Sequence, residues 1–226
     1  MFFGKNDVLS EYAQELFWRI DREKRERVIN AAVSEFAKNG FQNANVNKIA
    51  EAAGISVGSL YKYFPTKENL FRCIIEISTK EIETAIYSVV NGDAPFMDKV
   101  EALIAQAQRY SREEPLLIRL YGVFTAEGNS ELAGALSDKL ESISANAYRS
   151  LIARAQEAGE VRRDVDAGTL AVMMDNQLMM IQFSYACDYY KKRFDIYVGC
   201  DNARNDAFVR ENTMKVMRSM FLGGGE

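Results

Sequence analysis

The chain contains no histidine. That removes the commonest general base and metal ligand, and no glycine-rich phosphate loop, metal-ligand spacing or nucleophile elbow stands in its place. Catalytic residues, metals and cofactors are therefore not expected, and the scattered Asp and Glu side chains read as solvated helix surface. Cysteine is scarce: Cys73, Cys187 and Cys200 form an odd set without a Cys-x-x-Cys pair, which argues for reduced thiols and against a disulfide or metal framework. No apolar run reaches the roughly 18 residues of a membrane span, because Asp175 and Gln177 interrupt the most apolar region. The start, Met1-Phe2-Phe3-Gly4-Lys5, lacks the apolar segment of a secretory signal, so the cytoplasm is the expected compartment and no membrane partner is expected. With 226 residues and 48% hydrophobic content, the chain has room for one small domain and a larger one with a sizeable core.

Turning from absences to content, residues 45–67 write two short helices across a tight turn. Asn45 is placed to cap the first helix, and Val46, Ile49 and Ala50 recur at helical spacing. Gly54 ends it by supplying a left-handed backbone, and Ile55 follows as an expected plug between the helices. Ser56 caps the second helix, whose small first residues Val57, Gly58 and Ser59 allow close approach to base edges and phosphates. Leu60 and Phe64 are its inward anchors, leaving Tyr61, Lys62 and Tyr63 to face outward toward phosphate oxygens. This is the pattern of a DNA-reading helix-turn-helix.

Arg25, Ile29, Ala31, Ala32, Phe36, Gly40 and Phe41 before the turn, and Pro65, Lys67, Glu68, Leu70 and Phe71 after it, make the segment resemble the tetracycline-repressor (TetR) family of bacterial transcription regulators over roughly residues 22–77. Ile29, Ala32, Val33 and Phe36 form a stripe that makes the preceding helix an amphipathic brace, with Asp21 as its N-cap and Gly40 as its stop. Thr66 or Pro65 opens the helix after the turn. One departure from the family pattern is Ala44, where a threonine able to touch phosphate is common. The resemblance implies a homodimer on a palindromic operator in double-stranded DNA, controlled by a small-molecule effector. Base-edge candidates are Ser56, Val57, Gly58, Ser59 and Lys62; phosphate candidates are Asn45, Lys48, Tyr61, Tyr63 and Lys67.

The net charge of −4 opposes DNA binding until its distribution is considered. Residues 21–72 hold nine Lys/Arg against six Asp/Glu, a balance of +3 that leaves −7 for the rest. A basic head on an acidic body grips phosphates locally. Arg22, Lys24, Arg25 and Arg27 are read separately, as a helix face solvated through Glu23 and Glu26.

The remainder reads as helical throughout, with helices expected near 6–20, 66–90, 96–112, 116–127, 131–158, 167–193 and 203–221. The fold class is all-α: an N-terminal extension (1–20), a three-helix helix-turn-helix domain (21–72) and a C-terminal helical domain for effector binding and dimerisation (73–226). Leu170, Met173, Met174, Leu178, Met179, Met180, Ile181 and Phe183 wrap the helix near 167–193 so fully that it needs a partner, and Met214, Val216, Met217, Met220 and Phe221 offer matching material on the last helix. Polar groups within that apolar helix must bond across a seam or face a cavity. Tyr121, Phe124, Met173, Asp175, Gln177, Met180 and Tyr185 are the candidate effector pocket. A helical protein-interaction module, or an activator without small-molecule control, is the alternative.

Overall fold

The computed structural model describes residues 9–126 and 131–223, the side chains at 124, 126 and 131–137 excepted. Among the described residues every regular element is a helix, and none is long and apolar enough to cross a membrane. The chain forms two compact units, one of Met1–Ile82 with Leu116–Ser137 and one of Glu83–Pro115 with Asp138–Glu226. The first runs past the expected boundary at residue 72 because α5 (Lys67–Val90) is continuous there.

In the first unit, α1 is Glu15–Arg19, α2 Arg22–Asn43 with a break at Gly40 (φ 70°, ψ 173°), α3 Val46–Ala53 and α4 Val57–Tyr63, followed by the start of α5; α7 (Pro115–Ala126) belongs to the same unit from Leu116 onward. The starts of α2, α3, α4 and α5 are chemically marked. Asp21 accepts from the Lys24 N–H at 2.8 Å, Asn45 from Asn47 at 2.9 Å, Ser56 from Ser59 at 3.0 Å and Thr66 from Asn69 at 3.0 Å, which satisfies amides that a helix N-terminus leaves without partners. The α3–α4 turn depends on Gly54, whose φ of 67° and ψ of 36° place it in the left-handed region. Its N–H reaches the Glu51 carbonyl and the Ile55 N–H the Ala50 carbonyl, both at 3.0 Å, the paired pattern of a Schellman cap. Ile55 itself is half-buried, where a fully buried plug was expected. Ile29, Ala32, Val33 and Phe36 are all buried. Phe36 and Phe41 both meet Phe71 at 5.1 Å.

The expected helix over 6–20 is shorter. Only residues 15–19 are helical among those described, and Phe17 is fully buried.

The second unit holds α6 (Phe96–Glu113), most of α8 (Glu131–Ala158), α9 (Ala167–Ala186), α10 (Asp188–Val198), α11 (Cys200–Ala203) and α12 (Asp206–Leu222). α6 packs on α9 and α12 around Val100, Leu103, Ile104, Met174, Leu178 and Met217. Phe221 meets Phe96 edge-on at 4.8 Å. Asp166 caps α9 and Asn205 caps α12.

The helix expected over 167–193 is two helices. Cys187 adopts an extended backbone (φ −103°, ψ 129°), and the bend lets α10 fold back so that Tyr190 stacks on Phe183 at 5.2 Å. Residues 194–198, whose alternation resembles a strand, complete α10. The base of this excursion is tied down by a hydrogen-bonded knot. The Tyr185 hydroxyl donates to Asp206 Oδ1 at 2.6 Å and accepts from Gln108 Nε2 at 2.9 Å, Gln108 also donates to the Asp206 carbonyl at 3.0 Å, and Arg112 pairs with the Asp206 carboxylate.

Candidate nucleic-acid interface

Each helix of the α3–α4 pair has a sealed face and an open one. On α3, Ile49, Ala50 and Ala53 are buried, whereas Asn45, at its N-cap, and Asn47 and Lys48 are exposed. On α4 and its flanks, Leu60 and Phe64 are buried, Ser56, Gly58, Tyr61 and Lys62 are exposed, and Val57 and Ser59 are half-buried. Burying three side chains of α3 against its neighbours outweighs what an eight-residue helix gains from propensity alone, so packing fixes which face is presented. Asn45 is doubly held: its side chain caps α3, and its own N–H donates to Glu35 Oε1 at 2.9 Å. The Ser56 and Ser59 hydroxyls lie 2.9 Å apart and share one hydrogen bond. Gly58 leaves open space. A Cβ built there meets nothing nearer than Ser56 Oγ at 3.9 Å.

Two of the expected contacts sit differently. Tyr63 is only 5% exposed; its ring lies 5.8 Å from Phe17 with Lys24 Nζ 5.9 Å away. An apolar ring at the last turn of α4 is drawn inward because Phe17 supplies a surface for it, a partner far off in sequence. Lys67 is half-buried, and its ammonium donates to the Gln42 and Ala44 carbonyls at 2.9 and 3.3 Å while lying 5.0 Å from the Phe41 ring. Of its three donors, two therefore serve the junction of α2 and α3. Ala44 is buried beneath.

The four cations at the start of α2 divide. Arg22 pairs with Glu26 at 2.9 Å and Arg27 with Glu23 at 3.0 Å, exposed helix-face pairs worth a few tenths of a kcal/mol each. Arg25 instead donates through Nη1 to the Trp18 carbonyl at 2.7 Å and the Ile20 carbonyl at 3.0 Å. Nothing local in the sequence distinguishes it from its neighbours.

Of the seven candidate effector residues, Met173, Asp175, Gln177, Met180 and Tyr185 lie on α9 in the second unit. Tyr121 belongs to the other compact unit, and the Phe124 side chain lies outside the described residues. Met173 is 49% exposed on α9, and Tyr185 is committed to the knot with Gln108 and Asp206. Asp175 is half-buried; burial first, and Glu141 second, push its carboxyl up to about 6, and it in turn helps raise the buried Tyr148 phenol. Gln177 and Met180 line a cleft of about 320 Å³ between α9, α10 and α12, whose other walls include Ile181, Tyr190, Arg193, Phe194, Tyr197 and Val209. The aromatic wall depends on the bend at Cys187, which no local pattern in the sequence marks. On α12, Met214, Met217 and Phe221 are buried within their own chain and Val216 is exposed, so of the expected dimer material only part faces outward. Burial also pushes the Cys73 thiol up to about 12, which leaves it protonated and unreactive near neutrality.

Comparison with known proteins places this geometry. Residues 28–74 match the profile described as bacterial regulatory proteins, tetR family. The HTH-type transcriptional repressor KstR of Mycobacterium tuberculosis is 30% identical over 163 residues, which cover 70% of this chain and 68% of that protein. The HTH-type transcriptional regulator UidR of Escherichia coli K12 is 29% identical over 155 residues, 67% of this chain and 76% of that protein. Among solved structures, the regulator FadR from Bacillus subtilis in complex with stearoyl-CoA superposes with a TM-score of 0.68 at 17% identity, over 89% of this chain and 99% of that one, a likeness of fold. A helix-turn-helix of this geometry, the profile match across it and the extent of the likeness to KstR together establish that the chain belongs to the tetR family of bacterial regulatory proteins.

Proposed function

We propose that the protein is a homodimeric transcriptional repressor that holds a palindromic operator and leaves it when a small-molecule effector binds. In this reading residues 21–72 read DNA, residues 73–226 dimerise and take the effector, residues 1–20 are an extension of the head, and the protein works in the cytoplasm without catalysing a reaction. The observation that carries the reading is the α3–α4 pair, sealed on its inner side and offering Asn45, Lys48, Ser56, Gly58, Tyr61 and Lys62 on its outer side. KstR is named a repressor, and the FadR structure contains a bound acyl-CoA, which support the repressor and effector parts. The effector must favour the DNA-released state by differential affinity, since equal binding to both states shifts nothing. The pocket candidates are Tyr121, Phe124, Met173, Asp175, Gln177, Met180 and Tyr185, of which Gln177 and Met180 line a cleft within the size range of small-ligand sites.

Two substitutions test the DNA-reading surface. Lys48→Ala is expected to weaken binding to all duplexes alike and to lower the salt slope by about one, whereas Lys62→Ala alters preference at particular base pairs. Retardation of DNA at several salt concentrations measures both, and unchanged affinity and slope in both variants would overturn the assignment. Gly58→Ala separates DNA reading from folding. The methyl fits the free protein and should raise helix stability by about 0.5–1 kcal/mol, yet it occupies the approach to base edges. Thermal unfolding should therefore move up while operator affinity falls; unimpaired binding would remove Gly58 from the interface.

A further inference from the structure

We propose that residues 10–20 form a brace that fixes the C-terminal end of the reading helix α4, with Gln14 and Phe17 as positioning residues for operator recognition. The segment precedes the residues matched to the family profile, and the proposal rests on the DNA-reading role of the α3–α4 pair. A seven-residue helix such as α4 is far too short to persist on its own. Its N-terminal end is held by the Ser56 cap and by the turn from α3. The other end is where the brace acts.

The Gln14 N–H donates to the Tyr63 carbonyl at 2.9 Å. That carbonyl is among the last four of α4, which have no partner within the helix. Phe17, fully buried, lies 4.6 Å from Phe64 and 5.8 Å from Tyr63. The brace is anchored in turn to two longer helices. Arg25 on α2 holds the Trp18 and Ile20 carbonyls. Ser10, 4% exposed, donates to Glu76 Oε2 on α5 at 2.6 Å, and Arg72 lies over the Tyr12 ring at 5.7 Å. The last turn of α4 is thus connected to α2 and α5 through a segment absent from the helix-turn-helix itself. Tyr61 and Lys62, two exposed candidates for DNA contact, immediately precede the carbonyl that Gln14 holds. Hydrogen bonding to base edges tolerates only small displacements of the groups that present it, so an unbraced α4 end loses discrimination before it loses general attraction to phosphate.

The test uses a duplex selected by the full-length wild-type protein from a random-sequence pool, and a scrambled duplex of the same composition. Gln14 has φ −67°, close to the angle proline imposes, so Gln14→Pro removes chiefly the N–H donor. Phe17→Ala removes the plug, and Phe17→Leu restores part of it. Measured well below each variant's unfolding transition, Gln14→Pro and Phe17→Ala should lose about tenfold or more in affinity for the selected duplex. Affinity for the scrambled duplex and the salt slope should be preserved, and Phe17→Leu should recover part of the loss. If Phe17→Ala does not fold, Gln14→Pro carries the test. A lowered unfolding temperature with intact affinity for the selected duplex would overturn the proposal, as would a reduced salt slope, which would make the segment a phosphate contact. A wild-type protein that selects no sequence would instead overturn the DNA-binding reading on which the proposal stands.

Discussion

Replacing Val172 and Met173 together by glutamate is expected to turn the protein into a folded monomer that has lost most of its hold on the operator. The two side chains are 51% and 49% exposed on α9, so charging them disturbs little within the protomer. α9 is apolar over most of its circumference, and its inner residues Leu170, Ala171, Met174 and Leu178 are already buried. In the proposed homodimer the outward residues are those left for a second copy. An isologous interface repeats every substitution by symmetry, so the double variant places four new carboxylates in one seam. Each buried charge without a partner costs several kcal/mol. Loss of the dimer removes the simultaneous grip on two half-sites, an avidity of about 10²–10⁴-fold. Sedimentation and DNA titration, with circular dichroism to verify that the helices persist, measure the outcome. A variant that remained dimeric would move the interface away from the α9 face.

Asp175→Asn should act in the opposite direction, stabilising the body by up to about 3 kcal/mol at neutral pH. Burial, and after it the neighbouring Glu141, raise the folded-state carboxyl from the ordinary 3.8 to about 6, a shift of roughly two units at 1.36 kcal/mol each. The folded state therefore binds this proton more tightly than the unfolded chain does. The stabilisation is complete below the unfolded value near 4 and is lost as pH rises through 6. At pH 7 the wild type carries the full cost of an ionised, part-buried carboxylate, and an amide of the same shape does not. Other carboxylates titrate in this window, so the informative quantity is the difference between the two proteins in urea unfolding across pH 4 to 8. It should be small at the acid end and grow through pH 6. An Asn variant less stable than wild type at pH 7 would mean that a cation partners Asp175.

Much of the head was legible because its signals are local. Asp21, Asn45, Ser56 and Thr66 each bond a backbone N–H two or three residues onward, and Gly54 adopts the left-handed backbone that its place in the pattern demanded. The stripe from Ile29 to Phe36 and the anchors Leu60 and Phe64 follow from a 3.6-residue period and are buried as expected. The misplacements share a cause. Tyr63 turned inward because Phe17 was there to receive it; Lys67 went to carbonyls of residues 42 and 44; Met217 and Phe221 were covered by their own chain. The break at Cys187 has no glycine or proline to announce it.

By itself, then, the sequence determined the all-helical class, the helix-turn-helix with its caps and turn, and the family, since all of these rest on interactions spanning a few residues. Only the tertiary structure decided which outward-looking side chains stay outward, how residues 10–20 lock the end of α4, and how α9 is bent and α10 folded back to make a cleft. Those outcomes depend on apolar and hydrogen-bonding partners tens of residues away, and a periodic pattern records that a face must be covered without recording by what.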